Sequence, residues 1–295
     1  MQVQDQLRGT GVAVITPFTK ESKIDFSALG NVIDFLICNK VEYLVLLGTT
    51  GETPVLSSSE KIEILEYAYE KIAGSVPVVV GIGGNDTAHL LEDFKQLPLE
   101  KATAVLSAAP YYNKPSQEGI FQHYKLVAEA SPQPVILYNV PGRTGRNMTA
   151  GTTLRLANEV PNIIGIKEAS GDMAQCMQIL KDRPDGFLVL SGDDALALPQ
   201  IACGMEGVIS VAANAFPLEF SNMVRSCLSN EYAAARVIND KLIPTYDLMF
   251  AENNPAGVKA FMYKMGLIDN QLRLPNVPLS QPVYSAIEAW MANNR

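Results

Sequence analysis

The chain has 295 residues, of which 47% are apolar and 18% charged, with a formal net charge of -8. That balance describes a folded protein with a substantial core and excludes a disordered chain. The acidic surplus, with no basic run, speaks against nucleic acid or an anionic membrane as partner.

No stretch approaches the roughly 20 apolar residues of a membrane span. The first six residues lack the basic segment and apolar core of a secretion signal, so a cytoplasmic location is expected. The four cysteines are scattered, without a Cys-x-x-Cys pair, and read as small buried apolar residues inside helices. Only two histidines occur, His89 and His123, and neither sits in a metal-ligand pattern. No metal and no cofactor is therefore expected.

Short runs rich in Val, Ile and Leu recur at 11–16, 43–47, 76–82, 102–107, 134–139, 163–167, 187–191 and 207–211. Helical periodicity fills the intervals. After a candidate cap at Asp25, one face carries Leu29, Val32, Ile33, Leu36 and Ile37. Ser57 and Glu60 have the spacing of a capping box, followed by a stripe of Ile62, Leu65, Tyr69 and Ile72 that stops at Gly74. Strands that do not alternate apolar with polar, separated by helices, are buried on both faces. Eight such units predict an α/β fold, a (β/α)8 TIM barrel over residues 1–230. Residues 231–295 read as a three-helix C-terminal extension, at 231–249, 254–265 and 279–291. An open doubly wound sheet is the alternative, but Gly81-Ile82-Gly83-Gly84 is too short for a dinucleotide-binding turn and reads as a tight turn.

In such a barrel the chemistry stands at the carboxyl ends of the strands. Lys167 ends the sixth run, Ile163-Ile164-Gly165-Ile166-Lys167. Alternation places it on one face with Gly165 and Ile163 and turns Glu168 the other way, and Gly165 leaves volume beneath the amine. Burial there disfavours the cation and exposes a neutral nucleophile, the requirement for Schiff-base chemistry. Lys167 is then expected to be shielded from water and to lack a carboxylate partner. A strand-end lysine that snorkels to solvent is the plainer reading of that residue alone.

Tyr138 ends the fifth run, where its phenol could serve Lys167 in proton transfer or simply pack. Thr49 and Thr50, between Gly48 and Gly51, could present hydroxyls and amides to a small carboxylate or form only a turn. Arg143 lies in a Pro-Gly-Arg-Thr-Gly loop, suited to a bidentate carboxylate contact or to plain solvation. Asp193 and Asp194 read as caps of the following helix.

Three ordered motifs, Gly-Thr-Thr-Gly-Glu at 48–52, Tyr-Asn-Val-Pro-Gly-Arg-Thr-Gly at 138–145 and Gly-Ile-Lys-Glu-Ala-Ser-Gly-Asp at 165–172, resemble those of the 4-hydroxy-tetrahydrodipicolinate synthase (dihydrodipicolinate synthase) family across essentially the whole chain. The resemblance implies that Lys167 forms a Schiff base with pyruvate, whose enamine attacks aspartate semialdehyde to give the diaminopimelate and lysine precursor. It implies Tyr138 as proton shuttle, Thr49 as its relay and Tyr112 completing the relay from a neighbouring subunit. Thr50 would hold the pyruvate carboxylate and Arg143 that of the semialdehyde, with Gly192 and the Ile209 backbone lining the site. A dimer of dimers, hence a homotetramer, is the usual assembly of that family.

Regulation departs from the pattern. Asn85 and Tyr111 match inhibitor-contacting positions of lysine-inhibited relatives, but Ser58, Lys61 and His89 stand where those have two histidines and a glutamate. A cation at Lys61 and a missing counter-charge predict weak feedback inhibition. N-acetylneuraminate lyase or a 2-keto-3-deoxy sugar acid aldolase is the nearest rival; Thr50 and Arg143 favour the semialdehyde. A barrel that merely binds small molecules is the rival from another class.

Overall fold

Eight parallel strands close on themselves in chain order. They are β1 (Gly9–Ala13), β2 (Tyr43–Leu46), β3 (Val78–Gly81), β4 (Ala104–Ala108), β5 (Val135–Asn139), β6 (Ile163–Glu168), β7 (Leu188–Ser191) and β8 (Gly207–Ser210). The computed structural model describes residues 2–294. β1 pairs with both β2 and β8, so no edge strand remains unpaired. This is the expected (β/α)8 barrel.

Two apolar layers hold it. The lumen is filled by inward side chains such as Tyr43, Val45, Val79, Leu106, Ile136 and Leu190. The outer layer, Val12, Leu44, Val80, Val105, Leu137 and Ile166 among others, packs against the helices. Each strand is thus covered on both faces, which is why none shows apolar-polar alternation.

The caps form as read. Asp25 accepts from the Ala28 amide at 2.9 Å. Ser57 and Glu60 make both capping-box bonds at the start of the helix Ser58–Ile72, at 3.3 and 2.9 Å, worth about 1 kcal/mol for such a cap. The buried stripe of that helix is Ile64, Leu65, Ala68, Tyr69 and Ile72, with Ile62 at its margin.

Three readings change. Cys38 and Cys203 are exposed, and only Cys176 and Cys227 are buried. Pairing between β5 and β6 shifts register after Val135, which faces Ile163 while Ile136 faces Gly165. Ile164 therefore joins the lumen and Ile163 the outer layer, the reverse of strict alternation below Gly165. Nor does Gly165 leave a void: a Cβ there would lie 2.5 Å from the Leu188 carbonyl oxygen, so the glycine admits the close approach of β7.

Beyond the barrel strands stand the helices Tyr232–Phe250, Ala256–Lys264 and Gln281–Asn293. Phe216, Phe261 and Trp290 interlock edge to face, with ring centroids 5.6 to 5.9 Å apart, and seat these helices on the barrel. No helix among the described residues is long and apolar enough to cross a membrane.

Candidate active site

Tyr138 and Lys167 are register partners on β5 and β6. Both point into the lumen at its carboxyl end, 7% and 5% exposed, and the Lys167 amine lies 4.2 Å from the centre of the Tyr138 ring. Among the described residues Lys167 has no carboxylate within salt-bridge distance, as its burial led us to expect. Room for the side chain comes from Gly192, after β7, where a Cβ would stand 2.9 Å from Lys167 Cε and 2.6 Å from Ala169 Cβ.

A cleft of about 1170 Å³ opens above this pair. Its walls include Thr49, Thr50, Arg143 and Gly192, so the structure gathers these four around Lys167 and Tyr138. Thr49 and Thr50 sit on the 3-10 turn Thr49–Gly51. Hydroxyls brace that turn from outside: Thr16 donates to the Gly51 carbonyl at 2.7 Å and Thr53 to the Gly48 carbonyl at 2.9 Å. Thr50 is buried, and its hydroxyl oxygen accepts from Asn254 Nδ2 at 3.1 Å. Arg143 lies exposed on the short helix Pro141–Thr144, started by a proline at its first position, and no protein side chain claims its guanidinium among the described residues.

The same cleft extends to Lys61, Asn85, His89 and Tyr111. Tyr112 does not line it; it projects from the loop after β4, 87% exposed and with a left-handed backbone, φ 70°. Ile209 is fully buried in the lumen, and Val211 forms the cleft wall on that side.

Behind the strand pair lies a polar cluster that the sequence did not reveal. Glu168, wholly buried, accepts from Asn139 Nδ2, from the Ser170 amide at 2.7 Å and from Gln175 Nε2 at 3.0 Å. Asn139 Oδ1 in turn accepts from the Met148 amide at 3.0 Å. Neither member of the acidic pair after β7 caps the following helix, Ala197–Ala202, whose N-cap Leu196 makes no side-chain bond; Asp193 closes the turn before it, accepting from the amides of Ala195 and Leu196 at 3.0 and 3.2 Å. Asp194 instead turns inward to accept from the amides of Val211 and Ala212. Burial pushes its carboxyl up to about 6 against the pull of those donors.

Also missed were Glu52 and Lys259, a fully enclosed ion pair at 2.6 Å. Glu52 was visible as the last residue of its motif, and Lys259 as a lysine amid Ala, Val and Phe, but nothing in the sequence joined them.

The arrangement suits one kind of chemistry. An amine shielded from water can add to a carbonyl, a phenol and hydroxyls beside it can move protons, and an arginine at the rim can hold an anion. No group of three or more His, Cys, Asp and Glu side chains among the described residues is placed to hold a metal ion.

Comparison with known proteins gives concordant results. The model of the Dihydrodipicolinate synthetase family matches residues 6–293. A 4-hydroxy-tetrahydrodipicolinate synthase of Parabacteroides distasonis is 49% identical over 281 residues, covering 95% of each chain. The crystal structure of dihydrodipicolinate synthase from Aquifex aeolicus superposes with a TM-score of 0.94 at 36% identity, covering 98% of each chain. A monomeric dihydrodipicolinate synthase variant superposes at 0.95 with 35% identity, covering 98% of this chain and 97% of that one.

Proposed function

The chain belongs to the dihydrodipicolinate synthetase family, and on that premise we propose that it condenses pyruvate with L-aspartate 4-semialdehyde to 4-hydroxy-tetrahydrodipicolinate, on the route to diaminopimelate and lysine. The observation that carries this reading is the enclosed Lys167 amine over the Tyr138 ring, with no carboxylate among the described residues within salt-bridge distance.

Lys167 Nζ attacks C2 of pyruvate, and loss of water from the carbinolamine leaves an imine. Removal of a C3 proton gives the enamine, whose carbon attacks the aldehyde of the semialdehyde. The amino group of the joined product then adds to C2, closing the ring and releasing Lys167. One water leaves overall, and no external oxidant or reductant is needed.

Each step moves a proton, and we assign Tyr138 as shuttle, with Thr49 as its relay. Thr50 holds the pyruvate carboxylate, Arg143 takes that of the semialdehyde, and Gly192 and Ile209 shape the wall and floor. Tyr112 completes the relay from a second copy of the chain, which its exposure outside its own cleft supports. At least a homodimer follows from that role, with a dimer of dimers proposed from the family resemblance, and a cytoplasmic location from the biosynthetic reaction. The relatives' names favour this reading over N-acetylneuraminate lyase or a sugar acid aldolase.

The test is to incubate the protein with pyruvate and borohydride and locate the added mass. A reduced pyruvyl adduct on Lys167, with turnover of the semialdehyde and none of sialic acid, is the expected result. An adduct elsewhere, or none, overturns the assignment.

A further inference from the structure

Two buried links tie the C-terminal helices to the loop that carries Thr49 and Thr50. In the first, Lys259 on the helix Ala256–Lys264 pairs with Glu52 at 2.6 Å, both side chains fully enclosed. Lys259 also donates to the Gln271 carbonyl at 2.9 Å and lies 4.4 Å over the Phe18 ring. Glu52 accepts in addition from the Arg273 amide at 3.3 Å. In the second, Asn254, 7% exposed and part of the cleft wall, donates Nδ2 to Thr50 Oγ1. Its Oδ1 is buried without a partner.

The first link is a poor device for stability alone. Desolvating two charges offsets most of their attraction, and an apolar pair of equal volume commonly stabilises as well. What the ion pair supplies is direction, because a buried carboxylate beside a single buried cation has one place to go. Glu52 also has a left-handed backbone, φ 54°, ψ 33°, which a non-glycine residue keeps only when its surroundings hold it. The loop's exit is thus set by a residue 207 positions away in the chain.

The second link sets a hydrogen-bond polarity. A hydroxyl has one proton and two lone pairs, and an amide nitrogen can only donate. Occupied by Asn254, the Thr50 oxygen serves as acceptor in that bond, and its proton stays free for an acceptor in the cleft. The orphaned Asn254 Oδ1 offers no competing site for that proton, since Asn254 already faces Thr50 through its nitrogen.

We propose that Asn254 and the Glu52–Lys259 pair are positioning residues that hold Thr50 as a hydrogen-bond donor to the carboxylate of the keto acid. The C-terminal helices are on this view part of the binding site for the first substrate. The proposal rests on the Schiff-base reading above and deepens it.

The experiment uses full-length variants N254D, N254A, K259M and E52L/K259M. Two quantities are measured: the pyruvate concentration that half-saturates borohydride trapping, and KM for the semialdehyde. An aspartate at 254 accepts the Thr50 proton and adds a charge repelling the substrate. N254D is therefore expected to raise the pyruvate requirement by about 10- to 100-fold, the loss of a hydrogen bond to a charged group. N254A, which frees the hydroxyl to rotate, should raise it only several-fold, and KM for the semialdehyde should stay within about twofold in both. E52L/K259M should melt near the wild-type temperature yet still need about tenfold more pyruvate, which a purely structural pair would not produce. N254D with a wild-type pyruvate requirement, or with both substrates weakened equally, overturns the proposal; so does full pyruvate affinity in a folded E52L/K259M. If the charge-pair variants fail to fold, the two Asn254 variants decide. Wild-type protein that traps no pyruvate on Lys167 overturns the Schiff-base reading itself, a result distinct from a wild type that traps and an N254D that behaves like it.

Discussion

Asn139 Nδ2 donates to both carboxylate oxygens of Glu168, at 3.2 and 3.0 Å, one register step beyond the pairing of Tyr138 with Lys167. Because successive strand residues face opposite ways, this bond behind the wall clamps the two strand ends whose neighbours meet in the lumen.

Replacing Glu168 with leucine would remove the acceptor shared by Asn139, Gln175 and Ser170; Asn139 and Gln175 keep bonds to Asn147 and Met148, but the Ser170 amide loses its partner. The expected loss is about 1–3 kcal/mol, the penalty for one abandoned group. Denaturant unfolding of the variant measures it; a loss under about 1 kcal/mol would show that water or rearrangement satisfies the cluster.

Tyr138→Phe retains the ring that the Lys167 amine covers and removes only the hydroxyl. As proton shuttle, that hydroxyl should be worth about 10²- to 10⁴-fold in kcat, the range for a positioned acid–base group. Steady-state turnover checks this. A variant within fivefold of wild type makes the tyrosine a packing residue.

The barrel was legible because burial on both faces marks all eight strands in the same way, and each stands where an apolar run was read. Lys167 was legible for the complementary reason, a cation at the end of an apolar run. Pairwise geometry was not. Periodicity alone assumes unbroken pairing, so the shift after Val135 reversed Ile163 and Ile164, and the space credited to Gly165 came from Gly192, a residue of the next strand end. The contacts of Asn254 and Lys259 with the Thr49–Thr50 loop span 204 and 207 residues, and no local pattern encodes them.

His123 gives the stability a defined pH dependence. It is buried, its Nδ1 lies 2.8 Å from the Thr87 hydroxyl, and its Nε2 has no partner. Burial pushes its titration from 6.5 down to about 4. Above pH 6.5 the ring is neutral in folded and unfolded chains alike and contributes no slope. Between pH 6.5 and 4 the unfolded chain binds a proton that the folded one refuses, so stability falls with falling pH and the loss levels off below 4. The total is about 3 kcal/mol at 1.36 kcal/mol per unit. The difference in unfolding free energy between wild type and His123→Gln should narrow or reverse by that amount from pH 7 to 4. A constant difference across the range would contradict the burial argument.

Inhibition by lysine should be weak. Asn85 and Tyr111 line the outer part of the cleft, but Lys61 lines it too, and His89 stands on the helix Thr87–Gln96 after β3. Of the carboxylates on that stretch, Asp86 is committed to capping its helix through the amides of Ala88 and His89, which leaves Asp93 to face an incoming ammonium. Solvated carboxylates such as Asp93 and the capped Asp86 against the Lys61 cation give little net attraction in an open cleft, where exposed ion pairs are worth about 0–1 kcal/mol. Half-maximal inhibition is expected above about 1 mM, equivalent to no more than about 4 kcal/mol of binding. Titrating lysine into the condensation assay measures it, and Lys61→His should shift the midpoint to lower concentration by removing a repulsive charge at neutral pH. A sub-millimolar midpoint in the wild type, or no shift in the variant, would mean that Lys61 does not face the inhibitor.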